Sequence, residues 1–167
     1  MISSDAERTM CTNLGINSEI SSENVNEEVI KNSNYLLLEG YLIASPGVYE
    51  AFKKAVELAK EHNTKVALSL SDTFIVNSFP KELRELIEIK CDLIFCNEAE
   101  AMEFSGKNTD EEIFVYFKDY TSNLLMTKGP EGCSGYDHDN EFTIPGIEVE
   151  AIDTNGAGDM FAGAVLN

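Results

Sequence analysis

The sequence predicts an α/β fold on a largely parallel sheet, and three observations point there. Short apolar runs alternate with helix-patterned segments along most of the chain. Several of the helical segments open on cap residues: Ser45 before Pro46, Asn97, and Thr109. Polar residues recur where the apolar runs end: Glu39, then Asp72, then Asn97 with Glu98 and Glu100, then Thr127, Lys128 and Gly129. Ligands of open α/β sheets bind beyond the carboxyl ends of the strands, so those ends are where a site is expected. The expected architecture is Rossmann-like and doubly wound, with right-handed crossovers.

Taken in order, residues 8–14 read as a strand, with Met10 and Leu14 among small polar residues. Residues 26–31 read as a short polar helix, and 35–38 as a buried strand running into Glu39 and Gly40. Ser45 is placed to cap a helix with proline at its first position. That helix extends to residue 62, with Val48, Phe52, Ala55, Val56 and Ala59 on one face. Residues 65–70 are the next strand, and Ser78 with Pro80 opens a helix that turns Leu83, Leu86 and Ile87 inward. Residues 92–96 form a strand, after which Asn97 caps a helix. Thr109 and Glu112 have capping-box spacing, each able to satisfy the other's backbone donor, ahead of a stripe of Ile113, Phe114, Phe117 and Tyr120. Residues 123–126 are a strand, 132–136 and 141–144 pair as a hairpin through 137–140, and 156–166 are helical.

The 167 residues are 43% hydrophobic, enough for a folded core. No apolar run approaches the ~18 residues of a membrane span. The opening Met1-Ile2-Ser3-Ser4-Asp5 has neither the basic end nor the apolar centre of a secretory leader. Thirty acidic residues against twelve basic ones give a net charge of −18. A surface of that sign repels phosphate backbones and anionic lipid, so neither nucleic acid nor membrane is an expected partner. A neutral small molecule meets no such barrier; a phosphorylated one needs backbone amides and a cation. Cys11, Cys91, Cys96 and Cys133 form no CxxC and no zinc spacing with His62 or His138. They are expected to be reduced thiols of a cytoplasmic protein, with Cys91 and Cys96 in the core.

The stretch that carries chemistry is Asp153-Thr154-Asn155-Gly156-Ala157-Gly158-Asp159-Met160-Phe161, read as a short strand passing into a helix. Gly156 and Gly158 present no side chain, and their amides, with that of Ala157, are placed to face an anion from the helix start. Asp159 falls in the first helical turn. A carboxylate there suits the helix dipole. It is badly placed to bind phosphate and well placed to take a proton from a hydroxyl that attacks phosphate. Neither the P-loop pattern nor the dinucleotide fingerprint occurs in the chain.

The same string resembles the second signature of the ribokinase-like sugar and nucleoside kinases of the phosphofructokinase B type. Asn97-Glu98-Ala99-Glu100 resembles the family's Asn-x-x-Glu metal motif, and Thr127-Lys128-Gly129-Pro130-Glu131-Gly132 its nucleotide segment. Arg8-Thr9-Met10 with Asn13-Leu14-Gly15, Glu39-Gly40-Tyr41-Leu42 and Leu70-Ser71-Asp72 look most like the adenosine-kinase-like branch.

The resemblance implies an ATP-dependent kinase that phosphorylates a hydroxyl of a neutral sugar or nucleoside. Asp159 would be the general base, and Gly156, Ala157 and Gly158 the anion hole for the γ-phosphate. Asn97 and Glu100 would hold Mg²⁺, through water, and Thr127, Gly129 and Gly132 would line the nucleotide. Asp153 and Thr154 lie where some members bind a monovalent cation such as K⁺, and Glu39 would face the acceptor's hydroxyls.

It also implies an incomplete ribokinase-like fold in which residues 1–167 are one partial domain, without the family's glycine-rich first signature and its lid. Such a piece is expected to be inactive or nearly so alone. A competing reading is a non-catalytic remnant or a nucleotide-binding module; an in-frame continuation of the coding DNA would separate the two. A third is a binding domain with a chance glycine-rich turn.

Overall fold

The computed structural model describes residues 13–167, so Arg8, Thr9, Met10 and Cys11 lie outside the described residues. Of the strand expected over 8–14, only Asn13 and Leu14 are described, and neither is in a strand. A six-stranded sheet runs in chain order: β1 (Tyr35–Glu39), β2 (Lys65–Ser69), β3 (Leu93–Asn97), β4 (Asn123–Thr127), β5 (Gly132–Asp137) and β6 (Asn140–Pro145). β1 to β4 pair in parallel, and β5 and β6 continue antiparallel as the expected hairpin.

α1 (Glu27–Lys31) precedes β1, and between the parallel strands lie α2 (Pro46–His62), α3 (Thr73–Ser78), α4 (Pro80–Ile89), α5 (Glu98–Ser105) and α6 (Asp110–Lys118). Strands added in one direction by crossovers of one hand put all their helices on one face. That face holds the main core, where Val66, Leu68, Ile94, Cys96, Leu124 and Met126 meet Val56, Leu86, Phe104 and Phe117. The side chains of alternate strand residues point the other way. There Ala67, Leu93 and Phe95, with Tyr35 and Leu125 beside them, meet α7 (Ala157–Leu166) as the one helix on this face among the described residues, through Ala162 and the partly buried Phe161 and Leu166. Helices therefore occupy both faces, very unequally.

Several expectations change in detail. Among the described residues β1 is the edge strand and only half-buried: Leu37, on the α7 side, is 39% exposed, while Leu38 on the other side is buried. Ser45 begins α2 without a side-chain cap; its hydroxyl donates instead to the Ser18 carbonyl at 3.1 Å. Thr109 Oγ1 accepts the Glu112 amide at 3.3 Å, but Glu112 returns its carboxylate to the Thr109 hydroxyl rather than to its amide, so only half the box forms. Ser78 ends α3 instead of opening α4. Asp72, three residues past β2, caps α3 by accepting the Phe74 amide at 2.6 Å. Cys96 and Cys133 are buried and Cys91 is half-buried; the three are free thiols. No strand precedes α7: residues 146–156 are irregular. No helix of the described residues is long and apolar enough to cross a membrane.

Candidate active site

At the carboxyl ends of the parallel strands, α7 begins above a cavity of about 540 Å³. Strand alternation and register build its floor. Glu39 pairs in register with Ser69, and Ser69 with Phe95; Asn97, two residues past Phe95 and on the same face, pairs with Thr127. All five thus lie on the α7 side of the sheet, and all line the cavity.

Nine of the twelve residues singled out from the sequence reach this cavity: Glu39, Asn97, Glu100, Thr127, Thr154, Gly156, Ala157, Gly158 and Asp159. Gly129, Gly132 and Asp153 do not line it. Gly129 opens a tight turn after β4, Gly132 starts β5, and Asp153 Oδ1 accepts the Asn155 amide at 2.8 Å within the loop before α7.

Gly156 is the N-cap of α7 with φ 75, a left-handed conformation in which a side chain is strained. A side chain added at Gly158 would meet nothing within 4 Å, so the space before the helix start is open. The Ala157 amide donates to the Thr154 carbonyl at 3.2 Å. The Gly158 amide is one of the first-turn donors without an intrahelical acceptor. Asp159 is exposed in that same turn.

Asn97 and Glu100 form a complete capping box. Asn97 Oδ1 accepts the Glu100 amide at 2.8 Å, while Glu100 accepts the Asn97 amide at 3.0 Å and its Nδ2 at 2.7 Å. Glu100 is 5% exposed. Burial pushes its carboxyl up from the usual range, with the Asp72 and Glu39 charges adding to the push and the Asn97 amide opposing it. Glu39 is likewise pushed up by burial, against hydrogen bonds from Ser71 and Ser69, and the Asp159 charge raises it further. Four carboxylates line the cavity, from Glu39, Asp72, Glu100 and Asp159, and among the described residues no Lys or Arg does. The nearby Lys128 is turned away to Asp110 and Glu98, at 2.7 and 3.2 Å.

Such a donor set of hard oxygens suits a hydrated divalent cation of the Mg²⁺ kind. No group of three or more His, Cys, Asp or Glu side chains placed to hold a metal occurs among the described residues. Sequence reasoning missed Ser69, Phe95 and Phe161 on the cavity wall. Phe161 follows Asp159 by two residues, and its ring meets Phe95 edge-on at 6.4 Å, fixing α7 to β3.

A strand-end cavity of this kind on a mostly parallel sheet defines an α/β ligand-binding protein of the Rossmann-like class. The chain belongs to the pfkB family of carbohydrate kinases, whose pattern it matches over residues 1–167. It is 29% identical over 135 residues to the guanosine-inosine kinase of Escherichia coli (strain K12), covering 79% of this chain and 31% of that protein. The adenosine kinase of Sinorhizobium meliloti has a similar structure, with TM-score 0.84 at 26% identity, over 89% of this chain and 46% of that one. The aminoimidazole riboside kinase of Salmonella enterica, solved with aminoimidazole riboside and an ATP analogue, shares the fold at TM-score 0.77 and 17% identity, over 89% of this chain and 51% of that one. The chain thus spans between 31% and 51% of the length of these relatives.

Proposed function

We propose that residues 1–167 carry the catalytic half of one ATP-dependent kinase domain that phosphorylates a hydroxyl of a neutral sugar or nucleoside. The observation that carries the reading is Asp159 in the first turn of α7, facing the cavity that Glu39, Asn97 and Glu100 reach from the strand ends. In this reading the acceptor hydroxyl lies against Asp159. As its oxygen bonds to the γ-phosphorus and the bridging oxygen of ADP leaves, its proton passes to the Asp159 carboxylate. The open start of α7, bounded by Gly156, Ala157 and Gly158, receives the oxygens of the transferred group, with the Gly158 amide as donor.

Glu39 accepts a hydrogen bond from a second hydroxyl of the acceptor. Thr127 borders the nucleotide, with Gly129 and Gly132 shaping the segment behind it. Asn97 and Glu100 hold the Mg²⁺ region, where a bound ion neutralises phosphate charge. Asp153 and Thr154 are the place for a monovalent cation. A cavity lined by four carboxylates and, among the described residues, no basic side chain favours an uncharged acceptor over a phosphorylated one.

Because the chain spans at most about half of the relatives above, it is expected to turn over slowly or not at all alone, since orienting both substrates supplies much of the rate. The test is thermal unfolding of the 167-residue chain with ATP and Mg²⁺, then with adenosine, guanosine or fructose added, together with ADP production by the reading frame that encodes it. A nucleotide- and Mg²⁺-dependent rise in Tm is expected, because a ligand that binds only the folded state stabilises it. No rise with any nucleotide, and no ADP with any acceptor, breaks the reading.

A further inference from the structure

Three non-glycine residues among those described have positive φ: Asn63, Ser71 and His138. Two sit where this is ordinary. Asn63 ends α2 in the left-handed cap conformation, and His138 lies in the turn between β5 and β6. Ser71, at φ 68, does neither; it stands between β2 and α3 on the wall of the cavity. Across it the Asp72 amide returns to the Leu70 carbonyl at 2.9 Å, closing a γ-turn of the rare, positive-φ kind. Glycine would hold that turn without crowding a Cβ, yet the chain has serine.

What serine adds is a hydroxyl, and the structure shows where it goes. Ser71 Oγ donates to Glu39 Oε2 at 3.1 Å, with the Ser69 carbonyl a longer acceptor at 3.3 Å, and stands 3.2 Å from Ser69 Oγ. The backbone on the other side is shaped for the same approach. Gly40 follows Glu39, and a Cβ there would lie 2.6 Å from the Ser69 carbonyl oxygen, so a larger residue would push the end of β1 away from the end of β2. Among the described residues, the charged groups facing Glu39 across the cavity are acidic: Asp159 from α7, and Glu100 at the start of α5. Each repels the Glu39 carboxylate, so its orientation depends on the hydroxyls.

We propose that Ser71 is a positioning residue: its hydroxyl, held out by the strained turn, fixes the Glu39 carboxylate in the cavity for the acceptor. This rests on the reading of Glu39 as facing the acceptor. The test uses Ser71→Gly, which removes both the strain and the hydroxyl, and Ser71→Ala, which removes only the hydroxyl, in the 167-residue chain. Three quantities are read: the Tm, the titration of the Glu39 carboxyl by ¹³C NMR, and the calorimetric affinity for adenosine, guanosine and fructose.

Ser71→Gly should melt above Ser71→Ala. In both variants Glu39 should titrate at higher pH than in the parent chain, because a donor to its charged form is gone. The affinity of whichever acceptor binds the parent should fall roughly tenfold. If both variants leave the titration and the affinity unchanged, the turn acts only through its backbone and the proposal is overturned. If the titration moves but no acceptor binds the parent, the positioning by Ser71 stands and the assignment of Glu39 to the acceptor falls.

Discussion

The two faces of the sheet differ in how they are held. On one, α1 to α6 bury a continuous core in which Leu68, Ile94, Leu124 and Met126 are at most 1% exposed. On the other, α7 rests on Ala67, Leu93 and Phe95 through little more than Ala162 and Phe161, and the candidate site lies on this side. The helix that brings Asp159 to the cavity is thus among the least anchored elements, while the strand ends it faces are backed by the thick core. Stability and chemistry are separable here, and substitutions on the two faces should show it.

The largest effect on stability should come from the thick side. Ile94→Ala, at a fully buried position of a central strand, should cost about 3 kcal/mol, measured by urea unfolding. A loss below ~1 kcal/mol would mean that this core is not what holds the sheet. Phe161→Ala should cost about 1 kcal/mol and act locally. Amide exchange in α7 should quicken while the amides of β3 and β4 stay protected. Equal quickening in both would erase the contrast between the faces.

Glu39→Gln should act in the opposite direction. The folded-state pKa of Glu39 lies above its ordinary value of 4.5, so the folded protein binds more protons than the unfolded chain just above pH 4.5. Its contribution is therefore complete below pH 4.5 and is lost as the pH rises through the raised value. The glutamine variant should melt higher than the parent at pH 7, with the difference shrinking towards pH 4.5. A gain that is constant with pH would rule out the charge as its cause.

The smallest change in stability should be that of Asp159→Asn, within about 0.5 kcal/mol, because the side chain is exposed. Turnover by the reading frame that encodes the chain should nevertheless fall by at least ~100-fold, with nucleotide affinity nearly unchanged. Near-parental turnover would remove Asp159 from the role of base.

Much of this arrangement was legible in the residues because it is built from local rules. The alternation of apolar runs and capped helices marks the sheet, and the polar residues ending four successive strands mark the cavity rim. Asn97 with Glu100 is readable as a cap at three-residue spacing, and the structure keeps that cap while turning it into the cavity. What stayed hidden depends on tertiary placement. The exposure of Leu37 follows from β1 lying at the edge. The helix Thr73–Ser78 is a turn and a half long, with Phe74 exposed, so it has little periodicity to show. Ser71 has no local sequence signature, because a serine between a strand and a helix usually takes an ordinary conformation.

In the sheet, spatial order and chain order coincide from β1 to β6. Each strand finds its partner in the one just made, so no pairing has to wait for a distant part of the chain. Loop-closure costs stay modest at every step, and assembly can advance from one end as it does in repeat proteins. The contact of α7 with β2 and β3, which returns from beyond the hairpin, is instead long-range in sequence, and it is the contact that holds the helix carrying Asp159.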